Sequence, residues 1–220
     1  MAPELIVMLT HNDKTVANAQ EIFEQCKNEP AKYWGFKEAG IPLNEMKTLC
    51  NKMKIAGKTI FLEVVAYTEE ECLEGAKMAV ECGFDVLMGT MYFNSINDYA
   101  KRHGLKYMPF VGKIEGRPSV LGGTIEGIIE EARALKAKGV YGIDLLGYRY
   151  VGDAVELNRR FVAAVDMPVC IAGSVSSYQR LDEIKDASPW AYTIGGAFFE
   201  NKFDGTFGEQ IRKVIAYMAK

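Results

Sequence analysis

The sequence predicts a single (β/α)8 barrel, or TIM barrel, over residues 1–220, with eight parallel strands inside a ring of outer helices. Short apolar runs alternate with amphipathic segments from one end of the chain to the other. The strand candidates are apolar throughout, which is typical of parallel strands covered by helices. The connections are short, and no linker or low-complexity segment marks a second domain.

An open doubly wound sheet is the main alternative architecture. Its dinucleotide-binding form requires the pattern G-x-G-x-x-G after the first strand. Here the first strand is followed by Thr10-His-Asn-Asp-Lys14, which contains no glycine. The sequence therefore favours the closed barrel.

Each element of the barrel is predicted from its own pattern. The apolar runs predict strands at Leu5–Leu9, Tyr33–Lys37, Thr59–Val65, Val86–Met88, Tyr107–Val111, Tyr141–Leu145, Val169–Ala172 and Tyr192–Ile194. Amphipathic periodicity predicts helices at roughly 15–23, 43–55, 69–82, 95–103, 124–138, 153–165, 177–186 and 207–218. Capping boxes or variants of them mark four helix starts, at Thr68–Glu71, Asp153–Glu156, Ser176–Gln179 and Thr206–Glu209. Left-handed C-cap glycines are predicted at four helix ends, Gly57, Gly83, Gly104 and Gly139.

Composition limits the possible functions. The net charge of −3 argues against a nucleic-acid partner, because such proteins normally show a basic face. No apolar run approaches the roughly 18 residues that span a bilayer, and the N-terminus lacks a signal-peptide pattern. The five cysteines lack CxxC spacing, which predicts free thiols. We therefore expect a cytoplasmic protein without a membrane partner. Exposed aromatic residues near the strand ends are candidates for the site or for a homo-oligomer contact: Tyr92, Phe93 and Tyr150.

The last quarter of the chain predicts an anion site. Two consecutive apolar strands end in glycine corners that open helices, Gly173-Ser-Val-Ser176 and Gly195-Gly196-Ala197. Unpaired backbone amides and the helix dipole favour a phosphate dianion at such corners. Barrels often bind phosphate after strands seven and eight. The predicted contacts are Gly173, Ser174, Gly195 and Gly196. The alternative is that these glycines only permit tight packing.

Two carboxylates in apolar strands are candidate acid–base groups. Glu63 has three apolar residues on each side, and an unpaired carboxylate is costly to bury there. It is interpreted either as a general acid or base, or as the partner of a lysine inside the barrel. Asp144 is a second carboxylate of this kind. It either completes an acid–base pair or holds Lys113 on the neighbouring strand.

Two lysines at strand ends are further candidates, Lys113 after strand five and Lys37 on strand two. Each has three interpretations: a Schiff-base lysine, a fixed positive charge for a carboxylate or phosphate, or a solvated loop residue. His11, Asp13 and Arg149 lie in loops at the same end of the barrel and are additional candidates. No metal-ligand spacing is present and no cofactor is predicted; a carboxylate-held Mg²⁺ is an unsupported alternative.

The closing segments, Ile171-Ala-Gly-Ser-Val175 and Thr193-Ile-Gly-Gly-Ala-Phe-Phe199, resemble those of the ribulose-phosphate-binding barrel superfamily. That group contains the histidine- and tryptophan-pathway isomerases and synthases, the sugar-phosphate epimerases and related lyases. The resemblance implies phosphate contacts at Gly173, Ser174, Gly195 and Gly196. The resemblance assigns no catalytic residues to this chain. The histidine-pathway isomerases place aspartates at the ends of strands one and five, where this chain has Asp13 in a loop and Lys113.

The leading hypothesis is an enzyme that isomerises or cleaves a small phosphorylated sugar-like carbonyl compound. In it Glu63 and Asp144 form the acid–base pair, while Lys113 stabilises an enolate or forms an imine. A Mg²⁺-dependent phosphoribosyl transferase or synthase is the second hypothesis. A non-catalytic barrel that binds a phosphorylated ligand is the third.

Overall fold

Eight parallel strands curl into a barrel in the computed structural model, which describes residues 2–220. They are β1 (Glu4–Met8), β2 (Tyr33–Lys37), β3 (Thr59–Glu63), β4 (Val86–Met88), β5 (Lys106–Met108), β6 (Ile143–Leu145), β7 (Val169–Ile171) and β8 (Ala191–Ile194). The sheet order is β6-β7-β8-β1-β2-β3-β4-β5, so each strand lies beside its neighbours in the sequence. All the pairs are parallel, which confirms the predicted (β/α)8 architecture.

The seam between β5 and β6 closes the barrel with few hydrogen bonds. The amide of Tyr141 donates to the carbonyl of Tyr107 (2.9 Å), and the amide of Asp144 donates to the carbonyl of Pro109 (3.1 Å). Pro109 has no amide hydrogen to donate in return. The seam is therefore the most sparsely bonded junction of the barrel.

The outer helices are α1 (Ala19–Cys26), α2 (Leu43–Ile55), α3 (Glu69–Cys82), α4 (Asn94–Arg102), α5 (Ile125–Ala137), α6 (Ala154–Ala164), α7 (Tyr178–Ala187) and α8 (Phe207–Met218). Full capping boxes form at Thr68 and Thr206. The residue that caps α7 is Ser177, one position beyond the predicted Ser176. The four predicted C-cap glycines are left-handed, with φ between 67° and 77°. No helix among residues 2–220 is long and apolar enough to cross a membrane.

Two hairpins replace parts of the predicted pattern at the mouth of the barrel. The first pairs Thr10–His11 with Lys14–Thr15, and its turn residues Asn12 and Asp13 have positive φ. This hairpin occupies the start of the predicted helix at 15–23, so α1 begins at Ala19 instead. The second pairs Lys113–Glu115 with Val120–Gly122 after β5. A 3-10 turn, Gly147–Arg149, follows β6, and a short helix, Gly196–Phe199, follows β8.

The strands separate two apolar cores. The larger lies between the strands and the helices, and a smaller one fills the barrel interior with Ile6, Met8, Phe61, Val86, Met88, Met108, Cys170 and Ala191. All five cysteines are free and buried, which confirms the predicted thiols. Alternation along the strands also turns polar residues inward. Glu63 lies two residues after Phe61, Lys37 pairs in register with Glu63, and Asp144 pairs in register with Cys170.

Gly142 provides a test of the packing beside the β5–β6 seam. A methyl group there would overlap the carbonyl oxygen of Pro168 and lie 3.0 Å from Cε of Met108. We expect Gly142→Ala to lower the free energy of unfolding by about 2 kcal/mol, because the backbone of β7 would have to shift. Gly122→Ala is the matched control, since its methyl group would meet nothing closer than 3.6 Å. Urea denaturation of the two variants measures the difference, and equal stabilities would contradict this account of the packing.

Candidate active site

A cavity of about 660 Å³ opens at the C-terminal ends of the strands. Its walls come from β1, β2, β3 and β8, from the loops after β1, β6, β7 and β8, and from the tip of the second hairpin. Ligand sites of barrels lie at this face, because the loops that follow the strands converge there. The cavity therefore brings residues far apart in the sequence into one place.

Lys37 lines the cavity and lies between two carboxylates. Its Nζ lies 3.0 Å from Oδ1 of Asp13 and 3.7 Å from Oε1 of Glu63. The Lys37 side chain is 8% exposed and that of Glu63 is 15% exposed. Glu63 forms the predicted ion pair with an interior lysine, and this pairing is compatible with its other interpretation as a general acid or base. The first hairpin brings Asp13 into place, because the Thr15 hydroxyl donates to the carbonyl of Lys37 (2.8 Å).

The two carboxylates keep Lys37 charged. Burial alone would lower the pKa of Lys37, but the charges of Glu63 and Asp13 outweigh burial and hold that pKa above its ordinary value. Partial burial works to raise the pKa of Asp13, and the hydrogen bond and charge of Lys37 overcome that effect and lower it. The cluster is therefore an ammonium group beside an ionised aspartate.

Asp144 faces Lys37 from the opposite side of the barrel, on β6. Its side chain is fully buried, and neither carboxyl oxygen has a hydrogen-bond partner among residues 2–220. Burial, aided by the charge of Glu63, raises the pKa of Asp144 well above its ordinary value, although Lys37 and Arg149 oppose the shift. Burial therefore favours the neutral form of the Asp144 carboxyl group.

Lys113 lies outside this cluster. It begins the second hairpin, is 71% exposed, and forms an ion pair with Glu115 (2.9 Å). The predicted pairing of Asp144 with Lys113 is therefore wrong. The physical reason is that β5 ends at Met108 and Gly112 turns the chain outward with φ 78° before Lys113.

The two glycine corners converge on the same cavity. Gly173, Ser174, Gly195 and Gly196 all line it. Gly173 and Ser174 have left-handed φ values of 80° and 58°, which turns the chain sharply after β7. The amides of Gly173, Ser174, Gly196 and Ala197 donate to no protein acceptor among residues 2–220. These amides are therefore free to bind an acceptor within the cavity.

Polar side chains surround the corners. The Nδ1 atom of His11 is buried without a partner among the described residues, and its ring packs against Phe199 with centroids 5.6 Å apart. Arg149 lies so close to Gly173 that a methyl group on the glycine would come within 2.8 Å of Nε.

Sequence reasoning missed two charged residues that line the cavity, Arg180 and Glu200. Both follow a glycine corner by a few residues, in or beside a helix that begins at the mouth, and this position is the signal that would have revealed them.

The second hairpin lies over the cavity. The hydroxyl of Tyr67 donates to the carbonyl of Gly116 (2.8 Å) and lies 2.8 Å from the hydroxyl of Ser119. The Arg117 side chain donates to the carbonyl of Val65 (3.0 Å), and Pro118 contributes to the cavity wall. No three His, Cys, Asp or Glu side chains among residues 2–220 converge as metal ligands.

Asp144 makes stability depend on pH in a predictable direction. Its folded-state pKa is raised, so its contribution to the free energy of unfolding is fully present below the ordinary value of 3.8. That contribution is lost as pH rises from there through the folded-state pKa. Asp144→Asn cannot ionise. We therefore expect its stability relative to the native protein to rise with pH, by at most about 1.4 kcal/mol per pH unit. Urea denaturation between pH 4 and pH 8 tests this, and a constant difference would show that Asp144 is ionised in the folded protein.

Comparisons with known proteins identify the fold. No family model matches the sequence, and no curated protein matches it. An N-acetylmannosamine-6-phosphate 2-epimerase from Clostridium perfringens matches with a TM-score of 0.65 and 15% identity, over 97% of this chain and 92% of that chain. A 4-hydroxy-2-oxoglutarate/2-dehydro-3-deoxyphosphogluconate aldolase from TTHB1 matches with a TM-score of 0.64 and 14% identity, over 98% and 92% of the two chains.

A third match has a different kind of function. The glycerol uptake operon antiterminator regulatory protein from Listeria monocytogenes has a TM-score of 0.58 and 17% identity, over 86% of this chain and 90% of that chain. At these identities the matches establish architecture and not activity. The expected resemblance is confirmed at the level of architecture: this chain shares the (β/α)8 fold of the epimerase and the aldolase.

Proposed function

We propose that this protein is an enzyme that isomerises or cleaves a small phosphorylated sugar-like carbonyl compound. One observation carries the proposal: a single cavity contains both unpaired backbone amides and a buried lysine between two carboxylates. A binding protein needs only the first of these features. The second places charged groups where they can act on a bound carbonyl compound.

The glycine corners would hold the phosphate. The corner at Gly173 and Ser174 after β7 and the corner at Gly195 and Gly196 after β8 both include amide donors without protein acceptors among residues 2–220. Phosphate binding at these two loops is common in barrels of this fold. The epimerase that matches this chain is described as acting on a 6-phosphate, which supports the same assignment. Binding energy from the phosphate would then position the carbonyl end of the substrate.

The lysine cluster would perform the chemistry. Lys37, held as an ammonium by Asp13 and Glu63, would stabilise negative charge that develops on the carbonyl oxygen during enolisation or carbon–carbon cleavage. Glu63 is the carboxylate that would move the proton at the neighbouring carbon. Asp144, a buried carboxyl group whose pKa is raised, would complete the acid–base pair from across the barrel.

The state of Lys37 favours a mechanism without an imine. A lysine that attacks a carbonyl must first lose its proton, and lysines that form imines have lowered pKa values. The pKa of Lys37 is raised instead. An isomerase, or a lyase that uses no Schiff base, therefore fits this site better than an imine-forming aldolase.

Solvent exchange tests this proposal even when the product is unidentified. The protein is incubated in D₂O with a panel of ketose and aldose phosphates, and loss of carbon-bound protons is followed by ¹H NMR. We expect exchange with at least one compound. Glu63→Gln should slow it by roughly 100-fold or more, as expected when a general base is lost. Lys37→Met should abolish the exchange.

Lys113→Met is the matched control and separates the two lysines suggested by the sequence. It should retain exchange, because Lys113 is exposed on the second hairpin. Treatment with borohydride and the active compound should leave Lys37 unmodified. A trapped adduct on Lys37 would replace the isomerase mechanism with an aldolase mechanism. Binding of phosphorylated compounds without any exchange or cleavage would favour the non-catalytic hypothesis, and activity that requires Mg²⁺ and a pyrophosphate donor would favour the transferase.

A further inference from the structure

Two arginine side chains have neither a hydrogen bond nor an ion pair within residues 2–220. The side chains of Arg149 and Arg180 line the cavity and neither donates a hydrogen bond nor forms an ion pair among residues 2–220. Every other arginine in that range does one or the other; these are Arg102, Arg117, Arg133, Arg159, Arg160 and Arg212. The unused guanidinium groups are thus both found at the candidate site.

Both arginines are held in place by features other than hydrogen bonds. Arg149 ends the 3-10 turn after β6, and its Nε lies against Gly173, where any side chain would collide with it. Arg180 lies in the first turn of α7, and its guanidinium stacks on the ring of Tyr148 at 4.8 Å. The Tyr148 hydroxyl donates to the carbonyl of Arg180 (3.1 Å). One aromatic residue therefore couples the segments that carry the two arginines.

The backbone amides of the glycine corners and the two guanidinium groups together offer more hydrogen-bond donors than one phosphate requires. The glycine corners alone present unpaired amides from Gly173, Ser174, Gly196 and Ala197. Each guanidinium adds five N–H donors arranged in a planar fork that matches a carboxylate or a phosphate. The arginines lie on the β6–β7 side of the corners, whereas Gly196 and Ala197 lie on the β8 side. The two sets of donors can therefore serve two neighbouring anionic groups.

We propose that the substrate carries two anionic groups: a phosphate in the glycine corners and a second group, a carboxylate or another phosphate, bound by Arg149 and Arg180. This inference rests on the proposed function and narrows its substrate to doubly anionic compounds such as phosphorylated sugar acids or bisphosphates. The charge of Arg149 contributes to the lowered pKa of Asp13 and opposes the raised pKa of Asp144. Arg149 therefore acts electrostatically on both carboxyl groups.

Calorimetric titration with small probes tests the inference. Glycerol 3-phosphate carries one phosphate, 3-phosphoglycerate adds a carboxylate, and propane-1,3-diol bisphosphate adds a second phosphate. We expect at least one of the doubly anionic probes to bind the native protein about tenfold more tightly than glycerol 3-phosphate, as one charge-assisted pair provides. The probe that gains identifies the second group.

Arginine variants show whether the gain comes from the proposed contacts. Arg180→Met and Arg149→Met should each reduce the preference for the doubly anionic probe to within about twofold, while glycerol 3-phosphate binds nearly as before. Arg180→Lys should retain part of the preference, because lysine keeps the charge but not the fork. Arg212→Met, which removes a surface pair with Glu29, is the control and should bind all probes like the native protein. Thermal melts followed by circular dichroism confirm that each variant is folded.

The possible failures are distinguishable. If the native protein binds all three probes equally, or if Arg180→Met weakens all of them by the same factor, the arginines serve a single phosphate and the second subsite is refuted while the proposed function stands. If no probe binds to the native protein, both the second subsite and the phosphate site are refuted.

Discussion

The ammonium group of Lys37, held between Asp13 and Glu63, organises one half of the cavity. A charged lysine in the wall of a barrel is costly unless opposite charges surround it. Glu63 comes from the neighbouring strand, but Asp13 reaches the lysine only because the first hairpin folds back over β2. The short hairpin after β1 is therefore a condition for burying this charge.

The same charge separates the two acidic groups inside the barrel. Asp13 is in contact with Lys37 and has a lowered pKa, whereas Asp144, without a hydrogen-bond partner in residues 2–220, has a raised one. The methionines, Phe61 and Cys170 fill the interior beside Asp144 and provide no groups that would solvate an anion. One barrel thus contains two carboxyl groups with opposite pKa shifts: contact with Lys37 lowers the pKa of Asp13, and burial raises that of Asp144.

Local patterns in the sequence predicted the barrel well, because strands and helices depend on periodicity and capping within a few residues. The bounds of β2, β4, α2, α3 and α8 agree with the prediction. The site was harder to predict. Alternation along parallel strands turns Lys37, Glu63 and Asp144 inward, and the first two of them line the cavity. Lys113 was misplaced because a glycine turn after β5 sends it outward, and a pattern of apolar residues does not show such a turn.

Arg180 shows a second limit of the sequence. Its place in the cavity depends on the path of the chain after Gly173 and on stacking against Tyr148, which is distant in the sequence. Contacts of this kind are properties of the folded chain and leave no local motif. The glycine corners can be predicted from the sequence because each is a short contiguous segment. The residues that complete the cavity around them come from several loops.

The thinly bonded junction between β5 and β6 has a mechanical consequence. Local opening costs least where few backbone hydrogen bonds must break. The strand at that junction, β6, carries Asp144 and leads into the turn that carries Arg149, while Lys37 and Glu63 belong to fully paired strands on the opposite side. The loop that carries Arg149 into the cavity thus follows the strand beside the sparsely bonded seam, whereas Lys37 and Glu63 lie on strands that are paired on both sides. Local opening at this seam would therefore displace Asp144 and Arg149 before it broke the pairing between β2 and β3 that carries Lys37 and Glu63.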